Sequence, residues 1–291
     1  MASDLPPFSI SQITTLPQPF DDDLRTYRHA GATGIGIWEI KLPERDDRES
    51  LARVRESGLA VTNCVGAVPS ILPLPHLPGP ADPAERVDAF CSTIRRLAPF
   101  EPDCLVLLTG PPGERDVAEA RALIVDGLRT IGDEAAREGV RVALEPYQAE
   151  SAEDWSIVST LGEAAALLDE AGPPALGIIF DCWHLWNSSY DEELPRVGDR
   201  LVGVHVADYR EPTRGWLDRV LPGDDVRNAI PGEYAVERAG WDGHYDLEIF
   251  SDDGTFGSAY PDSLWRVPGA ELAHRGKAQF EASWAARPKT A

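Results

Sequence analysis

The chain has 291 residues, 43% of them apolar, enough to bury one large core or two smaller ones. Its formal charge of −22 comes from 49 acidic against 27 basic residues, and such a surface repels phosphate backbones, which argues against a nucleic-acid partner. No segment approaches the roughly 18–20 continuous apolar residues of a membrane span, and the start MASDLPPFSISQITT has neither the basic region nor the apolar core of a signal peptide, so a soluble cytoplasmic protein without a membrane partner is expected.

Short apolar runs alternate with amphipathic segments along the whole chain. Phe8–Thr15 reads as a first strand, followed by a helix over Asp21–Ala30 that opens on a run of Asp. Gly34–Trp38 is the second strand, and the charged, amphipathic Glu44–Ser57 is a helix closed by Gly58. Leu59–Val65 is the third strand. The Pro-rich stretch that follows is too long for an ordinary turn, and residues 66–83 are expected to form a lid or substrate loop, with a plain surface excursion as the alternative. Asp82-Pro83 then starts a helix to Ala98. Cys104–Thr109 is the fourth strand and Glu114–Glu138 a long helix ending at Gly139. Val140–Glu145 and Leu176–Asp181 are strands on either side of a helix over Leu161–Ala171, which stops at Gly172 and Pro173-Pro174. Asp191–Arg200 is a short helix, Leu201–Val206 a strand, and Val226–Ala239 a weak helix interrupted by Pro231 and Gly232. Tyr245–Ile249 is the last strand, and a C-terminal helical extension is expected at about 258–291.

Continuous runs rich in Val, Ile and Leu suit parallel strands covered on both faces. Eight strand-plus-helix units at this length predict a single-domain (β/α)8 TIM barrel over residues 1–291, in the α/β class. A doubly wound open sheet is the competing architecture, but it usually carries a Gly-rich phosphate loop after its first strand, where this chain has ISQITTLPQPF. Cys64, Cys91, Cys104 and Cys182 form no CxxC pair and read as small buried hydrophobes. Only Lys41, Lys277 and Lys289 are lysines, so Schiff-base chemistry has few candidates.

Four strands of the second half end on ligand-type residues: Glu145 in VALEP, Asp181 in LGIIFDCWH, His205 in LVGVHVAD and Glu248 in YDLEIF. In a barrel such strand ends open into the C-terminal mouth, and these four strands are neighbours. A lone buried carboxylate is costly, whereas a shared cation relieves that cost for the whole set. Three carboxylates and one imidazole favour a divalent metal, Mn²⁺ first, with Mg²⁺, Co²⁺ or Zn²⁺ as alternatives. Trp38 and Trp183 lie at strand ends and are candidate walls for a sugar ring or an aromatic aglycone, against ordinary packing beneath loops.

The Glu-Pro of LEPYQAE, the Asp-x-x-His of DCWH, the His-x-x-Asp of VHVAD and the Glu of YDLEIFSDD resemble motifs of the xylose isomerase-like TIM barrels, the sugar phosphate isomerase/epimerase superfamily. The N-terminal ITTL and GIGIWEIKL resemble its first two strands. The resemblance implies that Glu145, Asp181, His205 and Glu248 are the metal ligands. It implies further that Glu145 and Glu248 are a catalytic acid/base pair and that His184 contacts a substrate oxygen. Arg210 corresponds only roughly to the family's substrate arginine, with Arg214 competing, and Glu150 lies near, not at, a substrate position of the epimerases. The implied activity is isomerisation or epimerisation of a keto sugar or polyol by proton abstraction next to a carbonyl, through a metal-stabilised enediolate. Elimination from a keto sugar, inosose or oxidised glycoside by a lyase or dehydratase is the alternative. Tyr147 stands where dehydroshikimate-type dehydratases often carry His. A barrel endonuclease conflicts with the acidity and the low histidine count, and a non-catalytic barrel is the remaining reading. The expected partner is a small-molecule carbohydrate, and both a homo-oligomer and a hetero-complex are compatible with the sequence.

Overall fold

The computed structural model describes residues 5–44, 46–224 and 230–287. Its centre is a closed barrel of eight parallel strands. These are β1 (Phe8–Ser11), β2 (Gly34–Trp38), β3 (Ala60–Ser70), β4 (Leu105–Leu108), β5 (Val142–Leu144), β6 (Leu176–Asp181), β7 (Leu201–Val206) and β8 (Tyr245–Leu247). Each is followed by a helix: α1 (Phe20–His29), α2 (Asp47–Ser57), α3 (Pro83–Leu97), α4 (Val117–Glu138), α5 (Leu161–Ala171), α6 (Tyr190–Val197), α7 (Ile230–Arg238) and α8 (Gly269–Ala286). The architecture is the (β/α)8 barrel that the alternation predicts.

The helix boundaries follow from local chemistry. Asp46, Asp82 and Asp116 each accept a backbone N–H of the first turn of α2, α3 and α4. Such caps satisfy donors that have no intrahelical partner. Gly58 and Gly139 end α2 and α4 in the left-handed conformation, with φ of 70° and 71°. Of the weak helix expected over 226–239, residues 226–229 lie outside those described, and Pro231 occupies the first turn of α7, where a missing N–H is harmless. The expected C-terminal extension contains α8, the eighth helix.

The chain divides into two compact halves, Met1–Thr62 with Val204–Ala291, and Asn63–Gly203. In the first, β1 is in register with β8 (Phe8 opposite Tyr245) and with β2 (Ser9 opposite Gly34). Helix α8 closes this half, with Phe280 4.9 Å from Phe8 and Trp284 5.1 Å from Tyr245 between ring centroids. In the second half β4, β5 and β6 run in register (Leu105 with Val142, Leu144 with Ile178) beneath Ile94, Ile124, Leu128 and Leu167, all fully buried.

Two departures from expectation have local causes. The first strand stops at Ser11 and becomes a 3-10 turn over Gln12–Thr15. Polar side chains draw the backbone out of the ladder there: Thr14 Oγ1 donates to Leu247 O, and Gln12 and Thr15 donate to Asp23. The third strand runs on to Ser70, into the Pro-rich stretch. Arg86 of α3, buried, donates to Ser70 O at 3.0 Å, to Ser70 Oγ at 2.6 Å and to Pro80 O at 3.1 Å, so one guanidinium ties both ends of that segment. Ile71 and Leu72 donate to the carbonyls of Leu108 and Thr109. Leu72 O lies so close to Gly110, whose φ is +75°, that a Cβ there would collide with it.

Candidate metal centre

Glu145 directly follows β5, with its N–H on Leu107 O at 3.0 Å. Asp181 is the last residue of β6; its Oδ1 accepts Trp183 N–H at 2.7 Å and caps the short helical turn Cys182–Leu185. His205 lies inside β7. Glu248 directly follows β8, with its N–H on Val206 O at 3.0 Å. All four side chains are buried, and each offers one ligand atom within 4.8 Å of the others. The four ligand-type strand ends read from the sequence are therefore one cluster.

The donor set fits a divalent cation. Three buried carboxylates at this separation repel one another and lose their hydration. The imidazole contributes a borderline nitrogen to otherwise hard oxygen donors, a mixture that suits Mn²⁺, Mg²⁺, Co²⁺ or Zn²⁺. His205 Nδ1 already lies 3.2 Å from Glu248 Oε2, and its Nε2 lies 3.9 Å from Asp246 Oδ2.

Arg219, in the long loop after β7, meets this cluster, and sequence reasoning gave it no role. The segment Asp208–Tyr209 pairs antiparallel with Arg219–Val220. Asp208 accepts Gly223 N–H at 2.9 Å, and Arg219 N–H donates to Phe250 O at 2.8 Å. The loop thus folds back along the end of β8. The Arg219 guanidinium, 2% exposed, reaches Glu248 Oε2 at 3.1 Å and lies 4.8 Å above the Phe250 ring. The sequence signal was faint: one of several Arg residues in a long polar loop.

The other expected site residues are placed as follows. His184 is buried, 3.8 Å from Asp181 Oδ2 through Nε2, with its ring 3.7 Å from Tyr147 and 5.0 Å from Trp183. Tyr147 stacks in turn on Trp155 at 5.6 Å. Trp183 is fully buried and supports His184 edge-on. Arg210 donates to Asp218 at 3.0 Å and lies 3.3 Å from Asp262; Arg214 is bound to the same two carboxylates. Glu150 accepts from Asn187 at 3.3 Å.

Trp38 is positioned by a buried polar network. Its backbone N–H donates to Gln12 Oε1 at 3.1 Å and its indole N–H to Ser11 Oγ at 2.9 Å. Gln12 donates to Asp23, which pairs with Lys41 Nζ at 2.6 Å and accepts from Thr15. Burial pushes the Asp23 carboxyl up to about 6, outweighing the opposing pull of Lys41, and burial lowers the Lys41 ammonium. A raised folded-state value means that Asp23 contributes stability that is complete below its ordinary 3.8 and is lost as pH rises through about 6. The carboxyl resonance of Asp23 should titrate with a midpoint near 6, and the stability of wild type relative to Asp23→Asn should fall over that interval. A midpoint at the ordinary value would refute the assignment.

The sequence profile of the xylose isomerase-like TIM barrel family matches residues 24–275. The chain belongs to this family. Among curated relatives, an inosose dehydratase of Geobacillus thermodenitrificans is 27% identical over 146 residues, 45% of this chain and 47% of the relative. A 3-dehydroshikimate dehydratase of Pseudomonas putida is 29% identical over 147 residues, 48% of this chain and 22% of the relative. The match thus spans less than half the length of either. Among solved structures, protein SMc04130 of Sinorhizobium meliloti superposes with a TM-score of 0.83 at 25% identity, covering 95% of this chain and 98% of that one. An L-ribulose 3-epimerase superposes with a TM-score of 0.75 at 15% identity, covering 99% and 100%, and shows the shared fold. The two curated relatives are thus both dehydratases, and the epimerase shares the fold. Among the described residues, no helix of this member is long and apolar enough to cross a membrane.

Proposed function

We propose that this protein is a divalent-metal-dependent isomerase or epimerase that removes and returns the proton next to the carbonyl of a keto sugar or keto polyol. The observation that carries the reading is the buried set Glu145, Asp181, His205 and Glu248, in which two glutamates accompany two further ligand side chains. Asp181 and His205 would hold the ion with the glutamates. Mn²⁺ is the preferred ion, as a hard cation that tolerates one imidazole. A bound divalent cation supplies Lewis-acid polarisation of the substrate carbonyl and its neighbouring hydroxyl, which lowers the cost of the enediolate.

The rest is the work of side chains. Arg219, at 3.1 Å, fixes the rotamer of Glu248, and Glu248 is the group assigned to accept the proton. Glu145 serves the opposite face of the same carbon as acid. His184, held between Tyr147 and Trp183, offers a fixed ring nitrogen to a substrate oxygen. Replacing Arg219 by Met should lower the exchange rate by roughly 10- to 100-fold at saturating Mn²⁺, the size of effect typical of groups that orient a metal ligand. An unchanged rate would remove Arg219 from the site.

A second reading uses the same proton abstraction but expels a leaving group from the adjacent carbon, as a dehydratase or related lyase. It is favoured by the two curated sequence relatives, both dehydratases. Incubation of the Mn²⁺-loaded protein in D₂O with ketoses, keto-inositols and 3-keto sugars, followed by NMR, tests both. Deuterium incorporation with conserved carbon skeleton and hydroxyl count supports the first reading; loss of water or aglycone supports the second. Metal binding without exchange on any candidate would overturn both.

A further inference from the structure

Beyond Glu248, the chain continues into a run of aromatic contacts. Phe250, two residues further on, lies under the Arg219 guanidinium. Its ring meets Trp38 at 5.6 Å and Trp216 at 5.6 Å. Trp216 meets Phe256 at 6.1 Å, and Phe256 meets Trp265 at 5.9 Å. All sit at the end of β2 or in the loops after β7 and β8, so they belong to the face where barrel active sites form. Trp265 and Phe250 are buried with Ile13 and Leu217, whereas Trp38, Trp216 and Tyr260 are only partly covered. Phe256 is 37% exposed, and Ile40, in the 3-10 turn that follows β2, is 54% exposed. Large apolar side chains left open at a rim beside a site mark a surface that meets something apolar.

Three of these side chains have their polar handles engaged by the protein. Trp38 Nε1 donates to Ser11, Trp265 Nε1 to Ile249 O at 3.1 Å, and Tyr260 OH to Arg214 O at 3.0 Å. With these handles engaged, Trp38 and Tyr260 present ring faces, which give a sugar hydroxyl no hydrogen bond in return for its lost water. Nor is the rim arranged for an anion. Arg210 and Arg214 are engaged by Asp218 and Asp262, and Arg214 also stacks on Tyr260 at 4.2 Å, so a phosphate would compete with two carboxylates for them. The aromatic run starts at Phe250, next to the Arg219–Glu248 pair, so a molecule extending from Glu248 along this run would lie against these rings.

We infer that the substrate carries, beyond its carbonyl-bearing ring, an uncharged, flat substituent of aromatic-ring size that lies against Trp38, Trp216 and Phe256. This deepens the carbohydrate reading and rests on it. An aryl glycoside or other aryl ether of a keto sugar has the required chemistry; a free monosaccharide leaves the rim uncovered.

Binding of unreactive pairs tests the inference without turnover. The Mn²⁺-loaded protein is titrated by calorimetry with methyl and phenyl β-D-glucopyranoside, and with the corresponding galactopyranosides. The phenyl member of at least one pair should bind about tenfold tighter, as two aromatic contacts would give. In Trp216→Ala/Phe256→Ala that ratio should fall below about twofold. If the double variant misfolds, Phe256→Ala alone, at a side chain 37% exposed, must lower the ratio measurably. Equal affinities within every pair, no binding of any phenyl glycoside at millimolar concentration, or a ratio that survives the substitutions would each overturn the inference. Proton exchange on small keto sugars in the same preparations would then still stand, so failure of the aromatic subsite and failure of the carbohydrate reading are separate results.

Discussion

Replacing Glu248 by Gln should abolish proton exchange in D₂O, and replacing Glu145 by Gln should do the same. Each glutamate is assigned two duties in one cluster, ligand and proton carrier. Glutamine preserves shape and offers a neutral oxygen, but it cannot take or give a proton near neutral pH. Positioned acid/base groups contribute on the order of 10²- to 10⁴-fold, so each variant should fall by at least about 100-fold. Metal loss must be separated from loss of the proton carrier. Asp181→Asn provides the comparison, because Asp181 is assigned ligation alone. Its exchange rate should recover substantially as Mn²⁺ is raised, whereas the rates of the two glutamate variants should stay low at saturating, independently measured metal content. A glutamate variant that regains more than about a tenth of the wild-type rate would remove that residue from proton transfer.

The barrel was legible because its signals are periodic and local. Gly34–Trp38, Leu176–Asp181 and Leu201–Val206 have the bounds read from the sequence, since each is a continuous apolar run between strong stops. The clustering of Glu145, Asp181, His205 and Glu248 was legible for a topological reason: strand ends of a barrel converge at one face, so four ligand-type ends in neighbouring strands meet whatever the loops do. Where side chains override backbone preference, the reading failed. Thr14 and Gln12 carry β-compatible or neutral propensity, yet their bonds to Leu247 O and Asp23 turn the backbone away from the strand. Arg219 was hidden for a related reason. Its approach to Glu248 depends on a two-residue ribbon fixed by Asp208 and Gly223, contacts that leave no periodic trace in the sequence. Arg210, nearer the expected spacing, is instead bound to Asp218, a partner eight residues later that spacing alone does not reveal.

Chelation of the purified protein should abolish exchange and soften the fold, and Mn²⁺ should restore both. The cause is electrostatic. Glu145, Asp181 and Glu248 are all buried, with ligand atoms within 4.8 Å, and Arg219 is the guanidinium seen to pair with Glu248. Without a divalent ion the remaining negative charge must be carried unscreened, or protons must be taken up, and either weakens the folded state relative to the loaded one. A ligand that binds only the folded chain at about 100 times its dissociation constant adds about 2.7 kcal/mol, which for a domain of this size raises the melting temperature by roughly 5–10 °C. Differential scanning calorimetry with chelator and with saturating Mn²⁺ measures that shift without reference to any substrate. Asp181→Asn should shrink it, because the carboxylate at the end of β6 is one of the four donors. Mg²⁺, Co²⁺ and Zn²⁺ should each produce a shift, increasing from Mg²⁺ to the transition metals as imidazole binding gains weight. Catalytic exchange need not follow the same order, since tight binding and polarisation of a substrate carbonyl make different demands on the ion. A protein that melts at one temperature with and without every one of these ions, or that exchanges protons at full rate in chelator, would show that the four side chains meet for some purpose other than holding a cation.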